Sequence, residues 1–200
     1  MSIDIGIALL PDEATKQVAV RLSRALQQRH QTSYSLGDVY HPHMTLYQAT
    51  FPGYETLKSF LGNLHPDISA MRINAKGLVI TPNNYIFVSY QKNPMLEALQ
   101  IDVIKAVSGK RLKAIPTIWE RNKIRLPPAK ERAVELYGFP EAFDEFEPHM
   151  TIGRVLDDIP KSEDLLAYLR NYFEEIPFVP SSIVYYELGA DGGCLNPKPL

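Results

Sequence analysis

Two hundred residues, 45% of them hydrophobic and 22% charged, fit one globular domain or two small lobes that share a core, and exclude a disordered, collagen-like or disulfide-scaffold chain. With 21 Lys and Arg against 23 Asp and Glu, the net charge is −2, so the chain as a whole offers no basic field for a long nucleic acid or an acidic membrane. The single cysteine, Cys194, can form neither an internal disulfide nor a cysteine-based zinc site, which suits a reducing compartment.

In chain order, Ile3 to Leu10 reads as a strand and Pro11 to Gln28 as a helix opened by Pro-Asp-Glu. No basic stretch precedes the first apolar run, and no apolar run approaches the roughly 18 residues of a membrane span. A cytoplasmic protein without a secretory signal is therefore expected. A strand follows at His41-Pro-His-Met-Thr-Leu46, then a turn at Phe51-Pro52-Gly53, a helix over Glu55 to Leu64 and a strand-like run from Ser69 to Ile80. Tyr85 to Tyr90 alternates as a strand, with Ile86, Val88 and Tyr90 on one face. Pro94 to Val107 reads as a helix. A second short string, Glu147-Pro-His-Met-Thr-Ile152, precedes a helix over Ser162 to Phe173, whose Leu165, Leu166, Leu169 and Phe173 share one face. A final strand-like run covers Phe178 to Leu188. The tail from Gly189 to Leu200, with Gly192-Gly193 and Pro197-Lys198-Pro199, is expected to be exposed.

The two strings share Pro-His-Met-Thr followed by a branched aliphatic residue, 106 positions apart. The elements around them repeat as well. Each half reads strand, helix, motif strand, helix, strand. An α+β fold over residues 1–200 follows: two pseudo-equivalent lobes of mostly antiparallel sheet, helices on the outer faces, and the motif strands side by side across a central cleft.

The halves differ in one stretch. From Leu10 to His43 is 33 residues, but from Tyr90 to His149 is 59, and the surplus falls in Gly109 to Asp144. Between Gly109 and Glu135 stand eight basic residues (Lys110, Arg111, Lys113, Arg121, Lys123, Arg125, Lys130, Arg132) against Glu120, Glu131 and Glu135. This basic insertion also holds Trp119. It reads as an elaborated connection over one lobe and toward the cleft.

Strand alternation puts His43 and Thr45 on one face, and His149 and Thr151 on one face, with Met44, Leu46, Met150 and Ile152 turned to the core. Two imidazoles and two hydroxyls facing one cleft suit phosphate-ester chemistry without a cofactor or metal. One neutral His accepts a proton from the attacking oxygen, the other donates to the leaving oxygen, and the Thr hydroxyls donate to the non-bridging oxygens. Tyr47, two residues after Thr45, is a candidate to stack on a base or ribose. Arg154 is a candidate phosphate contact. Arg121, Lys123 and Arg125 alternate as one basic face of an extended segment and are further candidates. One of Tyr185 and Tyr186 should face the cleft.

His43-Met44-Thr45-Leu46 and His149-Met150-Thr151-Ile152 resemble the paired His-x-Thr/Ser-hydrophobic signatures of the 2H phosphoesterase superfamily, which includes 2′–5′ RNA ligase and cyclic phosphodiesterase proteins. The opening strand and helix with Leu10-Pro11-Asp12-Glu13, and the run Ile152-Gly153-Arg154, are also similar to that group. The resemblance implies a bilobal, pseudo-twofold fold and a metal-independent site that opens 2′,3′-cyclic or related cyclic nucleotide phosphates, or acts on 2′–5′ linkages. His43, Thr45, His149 and Thr151 match its catalytic positions. A nucleotide or short RNA is then the implied partner of a monomer, with no membrane and no obligate protein partner. Two other readings stay open at this level. One is a metallohydrolase with His41, His43, Glu147 and His149 as ligands; the other is a non-catalytic nucleotide- or RNA-binding module using the same cleft.

Overall fold

A computed structural model describes residues 2–62, 64, 66–112, 116, 126–159 and 162–200. Among these residues, seven strands form two antiparallel sheets. In the first, β1 (Ile3–Pro11) lies between β2 (Met44–Phe51) and β6 (Pro180–Leu188), and β6 carries β7 (Cys194–Pro199) on its outer edge. In the second, β4 (Tyr85–Tyr90) lies between β3 (Ala75–Ile80) and β5 (His149–Arg154).

The two halves of the sequence are therefore not the two sheets. Each half contributes its first strand and its motif strand to one sheet and sends its last strand to the other, so β6 completes the β1–β2 pair and β3 completes the β4–β5 pair. The internal repeat is preserved as a pseudo-twofold exchange. Its elements correspond as β1 to β4, β2 to β5 and β3 to β6; β7 has no counterpart among the described residues. Both motif strands are edge strands, and these edges face each other.

The helices follow the same exchange. α1 (Glu13–Gln27) packs against β5 of the other sheet, and α3 (Pro94–Val107) packs against β2. α2 (Tyr54–Leu61) lies against α3. Within the insertion, α4 (Pro128–Tyr137) ends at Gly138, whose φ of 75° is the left-handed cap that glycine takes without strain. The last helix, α5 (Ser162–Arg170), lies against α1 and β3. One continuous core lies under both sheets, with Ile5, Ile7, Leu9, Leu22, Leu26, Met44, Leu46, Val88, Val103, Met150 and Ile152 all buried. Apolar burial on this scale is what fixes the two edges relative to each other.

Element ends are set by local chemistry. Pro11 still pairs with Pro180, so α1 opens at Glu13, and the Asp12 carboxylate caps it by accepting from the Thr15 amide at 2.9 Å. Asn93 caps α3 in the same way through the Leu96 amide at 2.8 Å, with Pro94 at the first helical position. The strand expected from Ser69 begins only at Ala75; before it, Ile73 makes an isolated bridge to Phe178. The helices expected to reach Leu64 and Phe173 stop at Leu61 and Arg170. The tail expected to be exposed is so at Asn196, Lys198, Pro199 and Leu200, but it also forms β7, hydrogen-bonded to β6 with Cys194 fully buried. Its Pro197 and Pro199 lack amide donors, which an edge strand tolerates. Among the described residues, no helix is long and apolar enough to cross a membrane. Arg121, Lys123, Arg125 and Trp119 lie outside the described residues.

Candidate active site

The repeat extends beyond residue identity into backbone geometry. In β2 the pairing with β1 runs Ala8↔Thr45 and then Ile7↔Tyr47, which leaves Leu46 as an extra, bulged residue. In β5 the pairing with β4 runs Phe87↔Thr151 and then Ile86↔Gly153, which leaves Ile152 bulged. The same position of each string carries the bulge. A bulge reverses the alternation beyond it. His43 and Thr45 face the cleft, Leu46 and Tyr47 are both buried, and the next cleft-facing side chain is Gln48.

The cleft between the two edges has a volume of about 240 Å³. His43, Thr45, His149 and Thr151 all line it, together with Gln48, Tyr85, Phe87, Lys130, Glu141 and Asp191. Imidazoles and hydroxyls distant in sequence are thus brought to one space.

Each imidazole is held by the same device. His43 Nδ1 donates to the carbonyl oxygen of His41 at 2.9 Å, and His149 Nδ1 donates to that of Glu147 at 2.7 Å. A carbonyl can only accept, so each Nδ1 carries a hydrogen, and each Nε2 is left to exchange protons. Pro42 and Pro148 lie between donor and acceptor and restrict the backbone that presents the carbonyl.

The two imidazoles sit in unlike surroundings. His43 is buried, at 7% exposure, with its ring 5.0 Å from that of Tyr186. Burial pulls its pKa from 6.5 down to about 4; the His41 carbonyl opposes this, and the charge of His149 adds to the fall. His149 lies flatter on an aromatic ring, stacked on Phe87 at 4.1 Å and 25°. The Glu141 carboxylate stands 3.6 Å from its Nδ1. Lys130 Nζ in turn contacts Glu141 Oε1 at 3.5 Å and Glu147 Oε2 at 3.2 Å. Burial works against the charge on Lys130, but the two carboxylates outweigh it and hold its pKa above the ordinary lysine value.

Thr45 rests on a buried hydrogen-bond chain. Gln48 Nε2 donates to the Tyr186 hydroxyl at 2.9 Å, and the Tyr186 and Thr45 oxygens are 3.5 Å apart. Burial raises the Tyr186 pKa, so its proton is retained. With Gln48 donating to it, Tyr186 can donate toward Thr45 and leave the threonine proton for the cleft. This ring crosses β1 directly above Gly6, where an added Cβ would collide with Tyr186 Cζ. Glycine is required here by close approach of the ring.

A family model described as the 2′-5′ RNA ligase superfamily matches residues 41–192, from the first residue of the first string to just beyond Asp191. The chain belongs to this superfamily. Its fold is similar to that in the crystal structure of TT0787 of Thermus thermophilus, with a TM-score of 0.58 at 16% identity over 98% of this chain and 94% of that one. Usb1 of Kluyveromyces marxianus aligns over 98% of each chain at 14% identity with a TM-score of 0.42, and the likeness of fold rests on the former alone. No curated protein matches the sequence.

Within this superfamily fold, the secondary candidates fare differently. Tyr47, expected at the cleft edge, is turned away by the bulge at Leu46. It is fully buried against Phe51 and Phe139, and its hydroxyl donates to the Tyr137 carbonyl at 2.6 Å. Arg154 is not part of the cleft lining; it donates to Asp191 at 2.9 Å and to the Asn83 carbonyl at 3.3 Å, so it orders the wall that Asp191 contributes. Arg121, Lys123 and Arg125 lie outside the described residues. Of the two tyrosines left open, Tyr186 lies beneath the site, while Tyr185 packs in the core against Tyr54.

The sequence reading did not find Gln48, Tyr186, Phe87, Lys130 or Glu141 as a set. A signal for Gln48 exists: Leu46-Tyr47 are consecutive apolar residues in a strand otherwise alternating, which is the mark of a bulge. Glu141 carries no such signal, because only the path of the insertion brings it to His149.

His41, His43, Glu147 and His149 do not form a ligand set. His41 and Glu147 present main-chain carbonyls to the rings, and the Glu147 carboxylate is turned to Lys130. Among the described residues, no group of three or more His, Cys, Asp or Glu is placed to hold a metal ion.

Proposed function

We propose that the chain is a metal-independent phosphodiesterase that opens 2′,3′-cyclic or related cyclic nucleotide phosphates, or acts on 2′–5′ RNA linkages, with His43 as general base and His149 as general acid. The observation that carries this reading is the sharing of one cleft by two carbonyl-anchored imidazoles and two threonine hydroxyls. Membership of the 2′-5′ RNA ligase superfamily supports the substrate class.

The assignment of roles follows from surroundings. A proton acceptor must be neutral at working pH, and burial keeps His43 so. An imidazole that donates its Nε2 proton while keeping Nδ1–H must be a cation, and His149 has a carboxylate beside it to balance that charge. In the hydrolytic direction, His43 Nε2 takes a proton from water as its oxygen forms a bond to phosphorus. The bond from phosphorus to one ribose oxygen breaks, and His149 Nε2 gives that oxygen its proton. The product is a ring-opened monophosphate, and the two rings return to their starting states by exchange with solvent. Thr45 and Thr151 donate to the non-bridging oxygens, where negative charge grows. A cleft of about 240 Å³ lies just below the usual range of ligand pockets, which favours a mononucleotide or a strand end over a long strand.

The test is turnover of 2′,3′-cyclic mononucleotides and 2′–5′ dinucleotides in the presence of chelator. The native protein is expected to turn over at least one of these substrates. His43→Ala and His149→Ala should each lower kcat by roughly 10²- to 10⁴-fold, with binding of the nucleotide retained. Binding without turnover by the native protein would favour a non-catalytic module. Turnover that survives both substitutions would refute the catalytic roles.

A further inference from the structure

One group at the cleft exchanges no proton and makes no bond in the steps above. The Glu141 carboxylate comes from the insertion, faces His149, and has no equivalent at His43 among the described residues. We propose that Glu141 is a positioning residue that acts through His149 as counter-charge to the imidazolium, and that it gives two otherwise equivalent histidines their separate roles. This rests on the acid–base reading of the cleft.

The placement of Glu141 is built into the fold. Gln100 of α3 is buried, and both ends of its amide clasp the Glu141 turn: Nε2 donates to the Glu141 carbonyl at 2.6 Å, and Oε1 accepts from the Phe143 amide at 3.2 Å. Behind the turn, the Tyr137 and Phe143 rings lie 4.5 Å apart, and Phe139 is buried against Tyr47. The main chain at Glu141 is therefore fixed independently of its side chain. That side chain spans Lys130 Nζ at 3.5 Å and His149 Nδ1 at 3.6 Å. The Nδ1 hydrogen already belongs to the Glu147 carbonyl at 2.7 Å, so Glu141 acts on the ring's charge, not on its tautomer.

Among the described residues, Glu141 and Lys130 approach His149 from the insertion, Glu147 lies just before β5 and acts through Lys130, and His43 stands on the opposite edge; Asp191 and Tyr85 line the same cleft. Phe87 covers one face of the ring from β4. At the pseudo-equivalent position in β1 stands Ala8, and the ring near His43 is Tyr186 from β6. The pseudo-twofold is thus broken around the rings, while the anchoring of each ring is kept.

A double-mutant cycle separates this role from a structural one. In the native background, Glu141→Gln should lower kcat on a 2′,3′-cyclic mononucleotide at least 10-fold with KM little changed, since the group acts on a proton transfer and not on substrate binding. In the His149→Ala background, the same substitution should change residual turnover less than about 2-fold. Lys130→Met should show the same dependence on His149, more weakly. Thermal unfolding of each variant verifies that the fold persists. A loss below about 2-fold in the native background, or an equal loss in both backgrounds, overturns the proposal. If instead His149→Ala itself leaves kcat unaltered, the acid–base reading fails first and takes this inference with it.

Discussion

The His43 side and the His149 side of the cleft share one plan and differ in their surroundings. On both, a Pro-His-Met-Thr string forms an edge, a bulge follows the threonine, and a carbonyl two residues back holds Nδ1. On the first side the ring is buried near Tyr186, with no carboxylate paired to it among the described residues; on the second it stacks on Phe87 and faces Glu141. The shared plan brings two imidazoles to one cleft. On the function proposed above, the unlike surroundings decide which one accepts a proton and which one donates. An internal repeat can hold geometry constant while its neighbours set the electrostatics.

The sharpest consequence concerns pH. His43 titrates at about 4 in the folded chain and near 6.5 when unfolded, so the unfolded state binds more protons between those values. Stability from this group is full above pH 6.5 and is lost as pH falls toward 4. Native protein should lose about 3 kcal/mol more than His43→Asn between about pH 7 and pH 4 in urea unfolding. The acid limb of kcat/KM should fall in the same direction, as protonation removes the base. Equal pH dependence in the two proteins would mean that His43 is not the buried, neutral member of the pair.

Gly6→Ala tests the support peculiar to the His43 side. The added methyl group meets the Tyr186 ring, so the ring must leave its place over β1. A cost of about 2 kcal/mol is expected in thermal or urea unfolding, together with a drop in kcat as Thr45 loses its support. Unaltered kcat would show that the Gln48–Tyr186–Thr45 chain is not needed.

Tyr47→Phe is the mildest. The hydroxyl donates to a carbonyl away from the cleft, so removing it should cost about 1 kcal/mol of stability and leave kcat and KM unaltered. A rise in KM would return Tyr47 to the substrate side.

Much of this was legible in the residues. Tyr85–Tyr90 and Pro94–Val107 have the limits expected, because alternation in one and Asn93-Pro94 in the other mark their ends. The paired strings named His43, Thr45, His149 and Thr151, and the structure brings all four to one cleft. The exchange of β3 and β6 between sheets was not legible, since strand pairing is a long-range property that a repeat of elements leaves open. Neither was β7, because two prolines and a Gly-Gly pair read as a free tail and an edge strand alike. Tyr47 misled because strict period-two counting cannot see a one-residue bulge. Glu141 was hidden because its meeting with His149 depends on how the insertion turns at Gly138 and is clasped by Gln100 of α3.

The claim on which all else depends is that both Nε2 atoms address one phosphate. Long-range ¹H–¹⁵N spectra of the imidazoles, recorded during titration with a 2′-nucleoside monophosphate, test it directly. Both Nε2 signals of His43 and His149 should move together with a single dissociation constant, while both Nδ1 atoms keep their hydrogens. Movement of one ring alone, or of the two with separate constants, would contradict it.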